Sequence, residues 1–226
     1  MRRWGVCLVL AALAFPLSAQ VALVREPAKG RVLVASKSLG DPNFLHTVVL
    51  LAHYDEKGAM GVILNRPTDA PLRRMFPRAE PLKDRRDPLY EGGPVMPTGA
   101  LALIRFDEKP EKGAKHVRDD VYLVGDLELL EKAVNEGKGP LELRVYLGYA
   151  GWGPGQLDRE IAVGAWYVFD VDLATIFDPA PETLWERLIR KVYERIARVG
   201  SGLRDGDSKP GPPGPVLGAY SKIAAR

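Results

Sequence analysis

The chain has 226 residues, with 32 Lys and Arg against 29 Asp and Glu, a formal net charge of +3. So even a balance gives no global attraction to nucleic acid or to an anionic membrane surface, and nucleic-acid binding is disfavoured. The one cysteine, Cys7, lies near the start, so the rest of the chain can hold no disulfide, thiolate nucleophile or cysteine metal site.

Residues 1–19 read as a signal peptide. A basic start at Arg2 and Arg3 precedes an apolar run from Trp4 to Leu17, and Leu17-Ser18-Ala19 offers a small-residue cleavage site before Gln20. The run is short of the roughly 20 apolar residues of a spanning helix, and it contains Pro16. A cleaved leader, hence export to the periplasm or the exterior, is the expectation; an uncleaved leader would instead anchor the protein. Cys7 sits inside the apolar run rather than after it, so it is not a lipoprotein cysteine. Beyond the leader no transmembrane helix is expected.

Residues 20–200 read as one domain. Strands are expected, from β-branched content and length, over 31–36, 47–53, 59–65, 100–106, 121–124, 143–149 and 161–169. Asp55-Glu56-Lys57-Gly58 is a short polar connection ending in glycine, so the second and third of these should form a hairpin through a type I turn and a left-handed residue. Asp126 can cap a helix carrying Leu127, Leu130 and Val134 on one face, ended by Gly137. A second helix can start at Asp178-Pro179 and carry a core stripe of Leu184, Trp185, Leu188, Val192, Ile196 and Val199 up to Gly200. Few strands are separated by a crossover helix, so the fold class is α+β, a mainly antiparallel sheet or partly closed barrel with a few packed helices. From Ser201 to Arg226 the chain turns Gly- and Pro-rich, which predicts a disordered or polyproline-like tail.

Four stretches carry the distinctive chemistry. The loop from Ser36 to Phe44 includes Asp41 and Asn43, whose side chains suit backbone hydrogen bonds. A strand ends in Asn65-Arg66-Pro67. Gly92-Gly93 forms a flexible turn after Tyr90-Glu91. Finally, Ala150-Gly151-Trp152-Gly153-Pro154-Gly155-Gln156-Leu157 runs into Asp158-Arg159-Glu160. Its glycines alternate as G-x-G-x-G, which is not the dinucleotide fingerprint, and no Gly-Lys-Ser/Thr follows. Trp152 reads first as a core plug and second as a pocket wall beside Gln156. If the segment after Gln156 is extended, Asp158 and Glu160 share a face opposite Arg159. Arg66 could grip an anion or bridge to a neighbouring acid.

Taken in order, these four motifs resemble the YqgE/AlgH family of bacterial proteins, from about Ala28 to Val192. Lys37 stands where a proline is usual in that family and Asp158 where a glutamate is usual. The leader and the Pro-rich tail also depart from its typical members, which look cytosolic. The resemblance implies no established biochemical activity; the gene-regulatory role attached to AlgH does not suit an exported protein.

The three histidines form no convincing metal site: His46 and His53 bracket one expected strand at an odd separation, and His116 lies in a charged loop. Ser36, His46 and Asp41 are near one another in sequence, but no G-x-S-x-G elbow accompanies them. No catalytic residue, metal or cofactor is assigned. The expectation is a non-enzymatic binding or interaction module of the cell envelope, with an unknown protein or small-molecule partner. Its candidate surface comprises Ser36, Asp41, Asn43, Phe44, Asn65, Arg66, Gly92, Gly93, Trp152, Gln156, Asp158 and Glu160. The alternative is a cofactor-free, hydrolase-like enzyme using Asp158, Glu160 or a histidine.

Overall fold

The computed structural model describes residues 21–200; the expected leader and the tail from Ser201 lie outside the described residues. Eleven strands form: β1 (Ala22–Val24), β2 (Val32–Ala35), β3 (Val48–Asp55), β4 (Gly58–Ile63), β5 (Pro67–Pro71), β6 (Pro88–Glu91), β7 (Val95–Arg105), β8 (Ala114–Arg118), β9 (Val121–Val124), β10 (Leu143–Trp152) and β11 (Trp166–Asp170). Four α-helices join them: α1 (Leu127–Asn135), α2 (Gln156–Ala162), α3 (Leu173–Ile176) and α4 (Leu184–Gly200). The strand order is β1-β11-β2-β3-β4-β10-β7-β9-β8, with β5 beside β6 and β6 beside β10. Every pairing is antiparallel except that of β10 with β6. The mainly antiparallel α+β fold is therefore the one expected, built as an unclosed sheet. Near its open ends, Arg118 of β8 donates to the Gly30 carbonyl at 3.2 Å and to Asp170 of β11 at 2.9 Å.

The apolar runs of β2 and the first half of β3 are buried at every position, as strands covered on both faces must be. One cover is α4, whose Leu184, Trp185, Leu188 and Val192 are buried in the larger core. The Trp185 indole N–H donates to the Ala35 carbonyl at 2.8 Å, so this aromatic anchor also satisfies a strand end. A second core packs Leu130 and Val134 of α1 and Leu72, Phe76 and Leu82 against Ala102, Ile104, Val124, Leu143 and Val145.

Local signals held for α1: Asp126 accepts from the Leu129 amide at 3.0 Å, and Gly137 follows at φ +81°. Leu127, however, faces solvent at 60% exposure, because the first residue of the helix lies off the sheet. The second expected helix starts later than Asp178-Pro179. Asp178 instead accepts from the Ala180 amide at 2.9 Å, a 3₁₀ turn spans Pro181–Thr183, and α4 begins at Leu184. Ile196, placed on the core stripe by periodicity, is 53% exposed where α4 runs past the sheet. The β3–β4 hairpin forms with Asp55 paired to Gly58, and Asp55 accepts from the Lys57 amide at 2.8 Å. Its Gly58 sits at φ +136°, outside the left-handed helical well expected for it.

The larger correction concerns the strand expected over 161–169. Residues Gln156–Ala162 are helical, and the strand begins only at Trp166. Gly155 takes a left-handed φ of +65°, which turns the chain out of β10 directly into α2.

β10 is shared by two halves of the sheet. Leu143–Leu147 pair with β6 and β7, a register shift follows, and Ala150–Trp152 pair with β4. At the shift the backbones of residues 92–93 and 148–149 cross in contact. Gly93 has φ +145°, and a Cβ there would lie 2.3 Å from the Tyr149 carbonyl carbon; Gly148 has φ +72°, and its Cβ would lie 2.3 Å from the Gly93 oxygen. Both conformation and space therefore demand glycine. Gly93→Ala should destabilise the protein by about 3 kcal/mol or more. Gly40→Ala, where a Cβ meets nothing within 4 Å, should stay within about 0.5 kcal/mol. Urea unfolding of the two variants checks this contrast.

Candidate functional site

The site grows from the end of β10. Trp152 is its last residue, Gly153-Pro154-Gly155 makes the turn, and α2 then carries Gln156 and Glu160 one helical turn apart. Gln156 Oε1 accepts from the Gly153 amide at 3.1 Å, and its Nε2 donates to Glu160 Oε1 at 2.9 Å. The other Glu160 oxygen accepts from two indoles, Trp152 Nε1 at 2.9 Å and Trp166 Nε1 at 2.8 Å. One half-buried carboxylate thus satisfies two buried tryptophans from different strands and a side chain of its own helix. Phe44 covers the pair, with ring centroids 6.0 Å from Trp152 and 5.5 Å from Trp166; the two indoles lie 5.9 Å apart. At those separations the three rings fill the space between them. Trp152 is 6% exposed and packs in the larger core.

The helical path of α2 separates Asp158 from Glu160, so the two carboxylates do not share a face as an extended segment would require. Asp158 is exposed and accepts from the Tyr54 hydroxyl at 2.6 Å, joining α2 to β3. That hydrogen bond to a carboxylate, with a smaller contribution from burial, pushes the Tyr54 phenol from its ordinary value of 10.0 up to about 12.

The remaining candidates occupy connected positions. Ser36 is buried with its hydroxyl 3.0 Å from that of Ser38. Asp41 accepts from both the backbone and side-chain nitrogens of Asn43, at 2.9 and 3.0 Å. Asn65 is buried: its oxygen accepts from the Val48 amide at 2.7 Å and its nitrogen donates to the His46 carbonyl at 2.9 Å. Arg66 donates to Glu91 at 2.9 Å and to the Leu45 carbonyl at 3.2 Å. Gly92 is buried, accepts from the Ile63 amide and donates to the Leu147 carbonyl. Phe44 ties the first loop to Trp152, Arg66 ties it to Glu91, and Gly92-Gly93 cross β10, so the four motifs meet in one belt. Its exposed members include Asp41, Asn43, Leu45, Glu91, Gln156, Asp158 and Arg159.

Tyr54, Glu91 and Trp166 belong to the belt but escaped sequence reasoning. Trp166 was hidden inside the strand expected over 161–169, and nothing local marks Tyr54 as the partner of a residue 104 positions away. The histidines have separate partners: His46 packs on Trp185 with centroids at 4.1 Å, while His53 lies 3.1 Å from Asp55. Ser36, His46 and Asp41 each have other partners. Among the described residues no three His, Cys, Asp or Glu side chains form a group suited to a metal ion.

Fold and belt together define an α+β domain with an open, mainly antiparallel sheet and its sequence motifs gathered at the rim of one shared strand. Residues 32–197 match the model of the AlgH-like family, and the chain belongs to that family. It is 38% identical over 178 residues to the UPF0301 protein of Streptomyces avermitilis, covering 76% of this chain and 90% of that one. A UPF0301 protein of Chlorobium limicola is also 38% identical, over 162 residues, covering 71% and 84%. The crystal structure of DIP2367 from Corynebacterium diphtheriae superposes with a TM-score of 0.60 at 26% identity, over 74% of this chain and 87% of that one. The solution structure of AlgH from Pseudomonas aeruginosa gives 0.55 at 28% identity, over 81% and 98%.

Two outcomes test the geometry. Glu160→Ala strips the acceptor from two buried indoles and should cost about 3 kcal/mol, whereas Glu160→Gln keeps one acceptor oxygen and should cost about 1 kcal/mol, measured by urea unfolding. For Tyr54, the raised folded value means that its contribution to stability is complete below pH 10 and is lost as pH rises through about 12. Phenolate absorbance, assigned with Tyr54→Phe, should show Tyr54 titrating nearer 10 in Asp158→Asn.

Proposed function

We propose that the protein is a non-enzymatic binding or interaction module of the cell envelope, carried there by the leader in residues 1–19. The observation that supports this reading is the belt itself: four motifs distant in sequence are cross-tied by side chains into one rigid rim. Pre-organised rims of this kind bind without an ordering penalty, because their side chains are already held. The rim exposes Asn43, Leu45, Gln156 and Arg159 around a packed aromatic floor, a mixture of apolar and polar groups that suits a protein surface. No helix among the described residues is long and apolar enough to cross a membrane.

A cofactor-free enzyme using Asp158 or Glu160 has less support. Glu160 is occupied by three donors, and Asp158 holds a tyrosine hydroxyl, so neither is poised over an open cleft. A transcriptional role is disfavoured by the near-balanced charge and by the leader.

Native mass spectrometry of the protein released gently from its own cell envelope tests both halves of the reading. The expected mass lacks about 19 residues, with a partner retained in fixed ratio. Leu45→Glu and Arg159→Glu, both exposed, should lose that partner while keeping the melting temperature. Full-length protein found only in the cytosol would overturn the location, and partner retention by both variants would overturn the surface.

A further inference from the structure

The densest basic stretch of the chain, from Arg73 to Arg86, is interleaved with acids and reads in sequence as an ordinary solvated face. Folding gives it a different shape. β5 and the segment leading into β6 run side by side, joined by Pro71 opposite Pro88 and by the Leu72 amide donating to the Asp87 carbonyl at 2.7 Å. Between them opens a groove of about 500 Å³ lined by Asp69, Arg73, Lys83, Asp84, Arg85 and Arg86.

Two of the cations build the walls. Arg73 Nη1 donates to the Lys83 carbonyl at 2.8 Å and ties one rim to the other. Arg85 is engaged by Asp87 and by the Lys138 carbonyl at 2.9 Å, which fixes its wall to the loop after α1. The other charges behave differently. Lys83 and Arg86 are exposed, as are Asp69 and Asp84, yet none of the four forms an ion pair among the described residues. Charges of both signs line one concavity without neutralising one another, so each remains available to a ligand.

We infer that this groove binds a small, hydroxyl-bearing phosphate ester. Arg86, with the guanidinium nitrogens of Arg73 that the Lys83 carbonyl does not hold, supplies donors suited to phosphate oxygens, and the Lys83 ammonium adds a point charge. Asp69 and Asp84 accept hydrogen bonds from hydroxyls on the same ligand. The volume lies within the roughly 300–1,000 Å³ of small-molecule sites. The two acids also select against a bare polyanion such as nucleic acid, whose phosphates they repel. None of these residues belongs to the belt, so the groove stands or falls independently of the interaction surface.

Isothermal titration calorimetry on the folded protein with glycerol 3-phosphate, with glycerol as the phosphate-free control, tests the site. Glycerol 3-phosphate should bind and glycerol should not. Arg73→Gln/Arg86→Gln should weaken binding by about tenfold or more. Lys57→Gln/Lys109→Gln removes the same charge at exposed positions that do not line the groove and should leave affinity within about twofold, since solvent screens exposed charges. Arg86→Gln alone, which breaks no hydrogen bond or ion pair among the described residues, repeats the test without disturbing the rim tie. Phosphatidylglycerol vesicles form the second arm: binding to vesicles alone, with the same variant sensitivity, identifies the phosphate as a lipid headgroup. Absence of binding in both arms, or an equal loss in the Lys57→Gln/Lys109→Gln protein, would overturn the assignment.

Discussion

The close crossing of backbones at Gly93 and Gly148 is the constraint on which the rest of the molecule depends. It lets a single strand, β10, hydrogen-bond with β6 and β7 along its first part and with β4 along its last. Without that contact the two halves of the sheet would have no common member, and their two cores would have no reason to fold as one unit. The crossing admits no side chain on either glycine, because the opposing main chain already occupies the position of a Cβ. A β10 continuous through both halves also decides where the strand ends, and therefore where Trp152 lies.

Glu160 converts that placement into a rigid rim. Its carboxylate gathers the indoles of Trp152 from β10 and Trp166 from β11, so α2 is held against both strands through charge-assisted hydrogen bonds. Phe44 then fastens the loop before β3 to the same tryptophans, and Tyr54 reaches α2 from β3 through Asp158. Polar groups buried here are not a liability, since each donor meets an acceptor. The same satisfaction leaves Glu160 with three donors already bound.

Charge is arranged on a different principle. Across the chain the two signs nearly cancel, which argues against long-range attraction to any polyanion. Locally, the segment between β5 and β6 pairs Arg85 with Asp87 but leaves Asp69, Lys83, Asp84 and Arg86 without an ion pair among the described residues. Net charge therefore says little about what its surface can hold.

Sequence alone determined the elements whose causes are local. The runs of β2 and β3 carry enough apolar, β-branched residues to be strands anywhere they can be covered, and Asp126 with Gly137 brackets α1 in any context. The ordered motifs likewise sufficed to identify the family. Tertiary structure alone decided the rest. β8, with Lys115, His116 and Arg118, pairs because β9 offers an edge, not because its composition asks for a strand. α2 is a helix although it is charged and follows a Gly-rich turn, because Gly155 can turn left-handed and two tryptophans from other strands need the Glu160 that the helix supplies. Asn65, which reads as a polar strand end, is buried because it accepts from the amide of Val48 and donates to the carbonyl of His46. Propensity and capping act within a few residues and are written in the local sequence; hydrogen bonds between strands a hundred residues apart exist only once the sheet has formed.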